Sequence, residues 1–120
     1  MSIPMINFKA TNVHINDALK SLAEQKLQSL DKYLHNSSVI CDVEFEQVAK
    51  HQHGNLFRIE VNLEIDGKLY RAEATLDSFE KAIDEVRNEL DTEVRRDKGK
   101  KEALLKRGAR KIKEMLRFGN

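Results

Sequence analysis

The chemistry this sequence offers most plainly is contact with phosphate. Arg95, Arg96, Lys98, Lys100, Lys101, Lys106, Arg107, Arg110, Lys111, Lys113 and Arg117 crowd the C-terminal end of a 120-residue chain. Residues 95–120 hold 11 basic and 3 acidic residues, whereas residues 1–94 hold 10 basic and 17 acidic ones. A formal net charge of +1 therefore divides into +8 at one end and −7 over the rest. Such asymmetry points to a polyanion, with nucleic acid first and an anionic membrane surface second. The plain alternative is a solvated helix face with surplus lysine. Few aromatic or amide side chains are interleaved with these cations. They would meet phosphates and supply affinity without reading bases.

Catalytic chemistry has little to stand on. The chain contains no P-loop, G-x-G-x-x-G, G-x-S-x-G or H-E-x-x-H pattern. His51 and His53 have a spacing that suits a metal, but they sit in a polar stretch without a neighbouring cysteine, and solvated histidines are the expectation. Cys41 falls at an inward strand position and reads as a small core residue rather than a reactive thiol. His14 and His35 lie at element boundaries without an identifiable partner. The carboxylates are spread over solvated faces, and none pairs as a general acid with a base. The expectation is a binding protein with no enzyme activity, no metal and no cofactor.

The elements that must carry the cations follow from periodicity. Ile6, Phe8 and Ala10 alternate with polar residues, as in a half-buried strand. Asn16 suits a helix N-cap, and the apolar stripe Leu19, Leu22, Ala23, Leu27, Leu30, Tyr33 and Leu34 follows at helical spacing over about five turns. Val39, Cys41, Val43 and Phe45 mark a second strand, a polar loop runs from Ala49 to Asn55, and Phe57 to Ile65 alternate as a third. Asp66-Gly67 is a two-residue hairpin signal that sets Leu63 opposite Tyr70, Val61 opposite Ala72 and Ile59 opposite Ala74. On the other face it sets Glu60 opposite Glu73, a repulsion that Arg58 and Arg71 must relieve. Asp77 to Glu80 has the form of a capping box, after which Phe79, Ala82, Ile83, Val86, Leu90 and Val94 make a second stripe. Beyond Gly99, Ala103, Leu104, Leu105, Ile112, Met115 and Leu116 repeat at helical spacing, interrupted by Gly108. This tail reads as a separate helix, an extension of the second helix, or a segment that orders on binding.

The resulting class is α+β, in the order β-α-β-β-β-α, with a basic helical tail. The first two strands should be parallel because a helix connects them, and strands two to four form an antiparallel meander. Each strand has one apolar face, so both helices must cover the same side of a four-stranded mixed sheet. The bare side carries Asp42, Glu44, Glu46, Glu60, Glu64 and Glu73, which repels phosphate, and it lacks the aromatics of RNA-binding sheets. RNA should therefore meet the helices and the tail. Residues 1–98 are expected to form the binding domain, with 99–120 as a basic extension. The single cysteine, the lack of an apolar run near ~18 residues and the absence of a signal-peptide pattern make a soluble domain in a reducing cytoplasm the default, monomeric when free.

Three stretches together resemble the ribosome hibernation-promoting factors, also called ribosome-associated inhibitors. They are Ile6-Asn7-Phe8-Lys9 leading to Val13-His14-Ile15-Asn16-Asp17-Ala18-Leu19; Gln25-Lys26-Leu27-Gln28-Ser29-Leu30-Asp31-Lys32-Tyr33, similar to the family's E-K-L-x-K-L-x-K-Y helix; and Tyr70 to Ala74 through Asp77-Ser78-Phe79-Glu80-Lys81-Ala82-Ile83-Asp84. The resemblance covers about residues 5 to 98. It implies a domain that sits on the small ribosomal subunit, in the channel used by messenger and transfer RNA, and blocks initiation without a reaction or cofactor. It also implies that helix lysines and arginines meet ribosomal RNA. Lys26 and Lys32 match such positions. Ser29 stands where the family often has lysine, Glu89 and Thr92 replace basic positions, and Glu80 replaces a frequent tyrosine. Arg87, Arg95, Arg96 and the tail residues Lys98, Lys100, Lys101, Lys106, Arg107, Arg110 and Lys111 would compensate. Long members add a domain that pairs ribosomes, and this chain looks like a short form. A general structured-RNA-binding module acting outside the ribosome is the alternative, and binding to a membrane surface the more distant one.

Overall fold

The computed structural model describes residues 5–51 and 54–118. Strand β1 (Ile6–Thr11) leads to helix α1 (Asp17–Gln28) and a short 3-10 turn (Asp31–Tyr33). Strands β2 (Val39–His51), β3 (Gly54–Ile65) and β4 (Lys68–Leu76) follow, and helix α2 (Phe79–Phe118) ends the described chain. The sheet order is β1-β2-β3-β4, with β1 parallel to β2 and the other pairs antiparallel.

The hairpin signal sets the register as expected. Asp66 and Gly67 both have positive φ, at 50° and 86°, as the two-residue turn requires. Leu63 pairs with Tyr70, Val61 with Ala72, Ile59 with Ala74 and Phe57 with Leu76. Cys41, Val43, Phe45, Ile59, Val61, Leu63, Tyr70, Ala72 and Ala74 then share one buried face. Ala23, Leu27, Leu30 and Leu34 cover it from the first helical stretch, and Phe79, Ala82, Ile83, Val86, Leu90 and Val94 from α2. Phe79 anchors the junction edge-on against Phe45, with ring centroids 5.3 Å apart. Cys41 is fully buried, and burial pushes its thiol up to about 12, with Asp42 adding to the effect. It is a core group, not a nucleophile at neutral pH. Ala10, expected to face inward, is exposed near the end of the edge strand.

Three local expectations need revision. The first helix is shorter than its apolar stripe. Ser29 Oγ donates to Lys26 O at 2.6 Å, and successive amides turn back by three residues, Leu30 N–H to Leu27 O and Tyr33 N–H to Leu30 O, both at 3.0 Å. The tightened winding keeps Leu27 and Leu30 on the core, because three-residue spacing matches a 3-10 turn. The N-cap of α2 is Ser78, not Asp77: Ser78 Oγ accepts the Lys81 N–H at 3.2 Å, while the Asp77 carboxylate pairs with Lys81 Nζ at 3.0 Å. The polar stretch from Ala49 is mostly strand, since β2 runs to His51 and β3 starts at Gly54, with a register shift between Val48 and His51. The expectation for His53 falls outside the described residues.

For the tail, the structure takes one of the three readings left open, an extension of the second helix. The tail is neither separate nor unwound, but the distal half of one 40-residue helix. At 1.5 Å per residue such a helix is about 60 Å long, in a molecule measuring 72 × 30 × 19 Å. Among the described residues its last buried one is Val94, and every residue from Lys98 to Lys113 is exposed. Gly99 and Gly108 cost helix propensity but do not break the helix.

The bare face of the sheet is held by one guanidinium. Arg58 donates to Glu73 Oε2 at 2.6 Å, to Glu46 at 3.3 Å and to Glu44 at 3.4 Å, and also to Glu60. Arg71 reaches Glu60 at 2.7 Å. The repulsion between cross-strand partners Glu60 and Glu73 is relieved in this way. Glu60 is held below the usual carboxylate range, chiefly by Arg71.

Candidate nucleic-acid interface

The cationic residues expected to touch RNA do not form one patch. They form a track along the two helices, whose proximal part is compensated and whose distal part is not. Lys26, in the last turn of α1, lies 3.0 Å from Asp84 Oδ1 of α2. Lys32, in the 3-10 turn, lies 3.9 Å from Asp91 Oδ1 and 5.1 Å from the Tyr33 ring centroid. Both lysines thus clip the first helical stretch to α2, and any anionic ligand would have to compete with a carboxylate for each. Arg87 is half-buried, and its Nε is buried without a hydrogen-bond partner among the described residues.

From Arg95 onward the balance changes. Arg95, Arg96, Lys98, Lys100, Lys101, Lys106, Arg107, Arg110, Lys111 and Lys113 are all exposed, and no ion pair holds any of them among the described residues. Helical spacing sorts them into stripes. Arg96, Lys100, Arg107 and Lys111 follow one line, and Arg95, Lys106, Arg110 and Lys113 a neighbouring one. Exposed Leu104 interrupts the first line between Lys100 and Arg107, while exposed Leu105 and Ile112 share the other side with Lys98 and Lys101. From Asp91 to Lys111 is about 30 Å along the axis. Lys32 and Lys111 therefore touch the same ligand only if it is long.

The acidic neighbours are placed with equal clarity. Asp97 accepts the Tyr70 hydroxyl at 2.9 Å and pairs with Lys68, so it is tied to β4 rather than to the track. These donors hold its carboxyl below the usual range, Lys68 most strongly. Lys98 and Lys101 line a cleft of about 200 Å³ together with Tyr33, His35, Tyr70 and Asp66. Periodicity placed Tyr33 in the core stripe and gave no hint of this cleft, because the turn after α1, the β3–β4 turn and α2 meet there only in the fold. Among the described residues no group of three or more His, Cys, Asp or Glu side chains is placed to hold a metal ion. No helix among them is long and apolar enough to cross a membrane.

Fold and track together define a small mixed-sheet domain with a projecting cationic helix. A profile of the family described as sigma 54 modulation protein / S30EA ribosomal protein matches residues 6–102, and the chain belongs to that family. The structure is similar to the Protein Y N-terminal domain of Thermus thermophilus, with 28% identity, a TM-score of 0.67, and coverage of 80% of this chain and 98% of that one. It also shares its fold with a ribosomal subunit interface protein from Coxiella burnetii, with 23% identity, a TM-score of 0.67, and coverage of 78% and 97%. No curated protein matches the sequence. Membership makes the chain a ribosome-associated modulation factor, as the three sequence stretches implied.

Proposed function

We propose that the protein silences translation stoichiometrically, by occupying the channel for messenger and transfer RNA on the small ribosomal subunit. The observation that carries this reading is the unbroken helix α2, which holds ten exposed cations between Arg95 and Lys113, none in an ion pair among the described residues, on a domain of a ribosome-associated family. Residues 1–98 act as the domain that fits the site, and 99–120 as the arm that grips RNA. The acidic sheet face turns away from phosphate, which orients the molecule with its helices toward ribosomal RNA. Cations on a rigid rod lose little conformational freedom on binding, so electrostatics supplies fast association and shape supplies the site. Such a factor acts in the cytoplasm, needs no cofactor and carries out no reaction.

The test is co-sedimentation with small subunits, large subunits and bare ribosomal RNA across a salt series. Retention on small subunits, strengthened at low salt and displaced by messenger and transfer RNA, is the expected result. Equal retention on all three would make the protein a general RNA binder instead.

A further inference from the structure

The cleft that takes in Lys98 and Lys101 sets a half-buried tyrosine beside two cations of the track. Along α2 from Lys100 to Lys113 there is no aromatic residue, so that stretch can meet phosphates but cannot stack a base. In the cleft, Tyr33 stands on the side of the 3-10 turn and the two lysines on the side of α2. Neither lysine has an ion pair among the described residues. Tyr70 forms part of the lining and is fixed, since the residue is only 7% exposed and its hydroxyl is bound to Asp97. Asp66 is fixed as well: its N–H donates to Ser38 O at 2.9 Å, and its Oδ1 accepts the Ser38 N–H at 2.8 Å. The cleft therefore combines a half-buried ring, a preorganised polar rim and two unpaired cations.

We propose that this cleft binds one unstacked ribonucleotide of single-stranded RNA, with the base against Tyr33 and its phosphate on Lys98 and Lys101. Aromatic side chains bind splayed bases through their faces, and lysines neutralise the adjoining phosphate. Lys32, already over the Tyr33 ring at 5.1 Å, adds positive charge beside the stack. At about 200 Å³ the space is smaller than the usual range of ~300–1,000 Å³ for whole drug-sized ligands, so it suits one base and excludes a stacked pair. Tyr33 thereby becomes a residue that selects single strands and loops over duplex on an otherwise indifferent cationic track. The RNA source rests on the function proposed above, whereas the cleft's taste for a 5′-nucleotide rests on its lining alone.

The experiment is a heteronuclear NMR titration of the full chain with a single-stranded RNA tetranucleotide, a matched duplex, guanosine 5′-monophosphate and inorganic phosphate. The tetranucleotide should shift Tyr33, His35, Ile65 and Val94, saturating at a concentration about tenfold below inorganic phosphate. Tyr33→Ala should weaken it by about tenfold, and Tyr33→Phe should restore it. Lys98→Gln with Lys101→Gln, both exposed and safe for folding, should weaken it in the same way while leaving the spectrum folded. Phosphate shifting the same residues equally well, the duplex matching the single strand, or Tyr33→Ala leaving the tetranucleotide unaffected would each overturn the proposal. Guanosine monophosphate binding as tightly as RNA would overturn the RNA source. Co-sedimentation of the unaltered chain with small subunits is run in parallel. Its failure with the cleft shifts intact would sink the ribosomal reading and not the cleft.

Discussion

Lys26 Nζ of α1 stands 3.0 Å from Asp84 Oδ1 of α2, so a lysine expected to touch RNA is held by a carboxylate of its own chain. The side chains are 35% and 50% exposed, which makes the pair weak as a stabiliser, at under about 1 kcal/mol. Its larger consequence is competition. Asp84→Asn should leave the melting temperature nearly unchanged and tighten binding to small subunits by several-fold at low salt. Lys26→Gln should weaken binding. Opposite signs in a filter or sedimentation assay check this; parallel changes would mean the pair serves the fold.

Removing residues 99–120 should leave the domain folded, because among the described residues every buried side chain lies at or before Val94. Affinity for small subunits should fall at least about tenfold at physiological salt, with a shallower salt slope, since the segment contributes eight basic residues. Circular dichroism and a salt series on the same samples read both halves. Unchanged affinity would remove the arm from the mechanism.

Gly99 and Gly108 lie in exposed helix, and a Cβ built at either meets nothing within 4 Å. Gly99→Ala and Gly108→Ala should each stabilise the arm by about 1 kcal/mol. Hydrogen exchange over the distal half of α2 should slow accordingly, with the core amides unaffected. If the helix needs to bend on RNA, the double variant will bind more weakly despite its better helix.

Arg58 is 19% exposed and serves four glutamates. Arg58→Met leaves Glu60 facing Glu73 with only Arg71 between them. A loss of about 2 kcal/mol in urea unfolding is expected. Glu60→Gln in that background should recover part of it. With Arg58 present, Glu60 is depressed, so its contribution exists above its unfolded value of about 4.5 and is lost as the pH falls through the lower folded value.

The alkaline limit has a different source. Cys41 titrates from 9.0 when unfolded and only at about 12 when folded. Its contribution is complete below pH 9 and disappears as the pH rises toward 12, because the unfolded chain loses its proton first. Tyr70, also raised by burial, acts in the same direction. Cys41→Ala should lower stability at pH 7 through lost packing, yet flatten its decline between pH 9 and 11. A series of urea melts across that range reads the slope directly.

Much of this protein is decided locally and can be read from short stretches of residues. The alternation of Phe57 to Ile65, the Asp66-Gly67 turn and the Asn16 cap act over a few residues, so the register of β3 and β4 and the start of α1 could be read directly. The asymmetry of charge was equally visible, since counting needs no fold. At Gly99 the local signal is too weak to settle the outcome, and beyond it only the packed fold does. Whether the helix passed Gly99 depended on propensity summed over two turns, where glycine's cost of about 1 kcal/mol leaves the outcome open. The pairing of Lys26 with Asp84 joins residues 58 positions apart, and no spacing rule couples them. The cleft around Tyr33 requires three segments to converge. A tyrosine on an apolar stripe reads as core until the neighbours that leave one side of it open are in place.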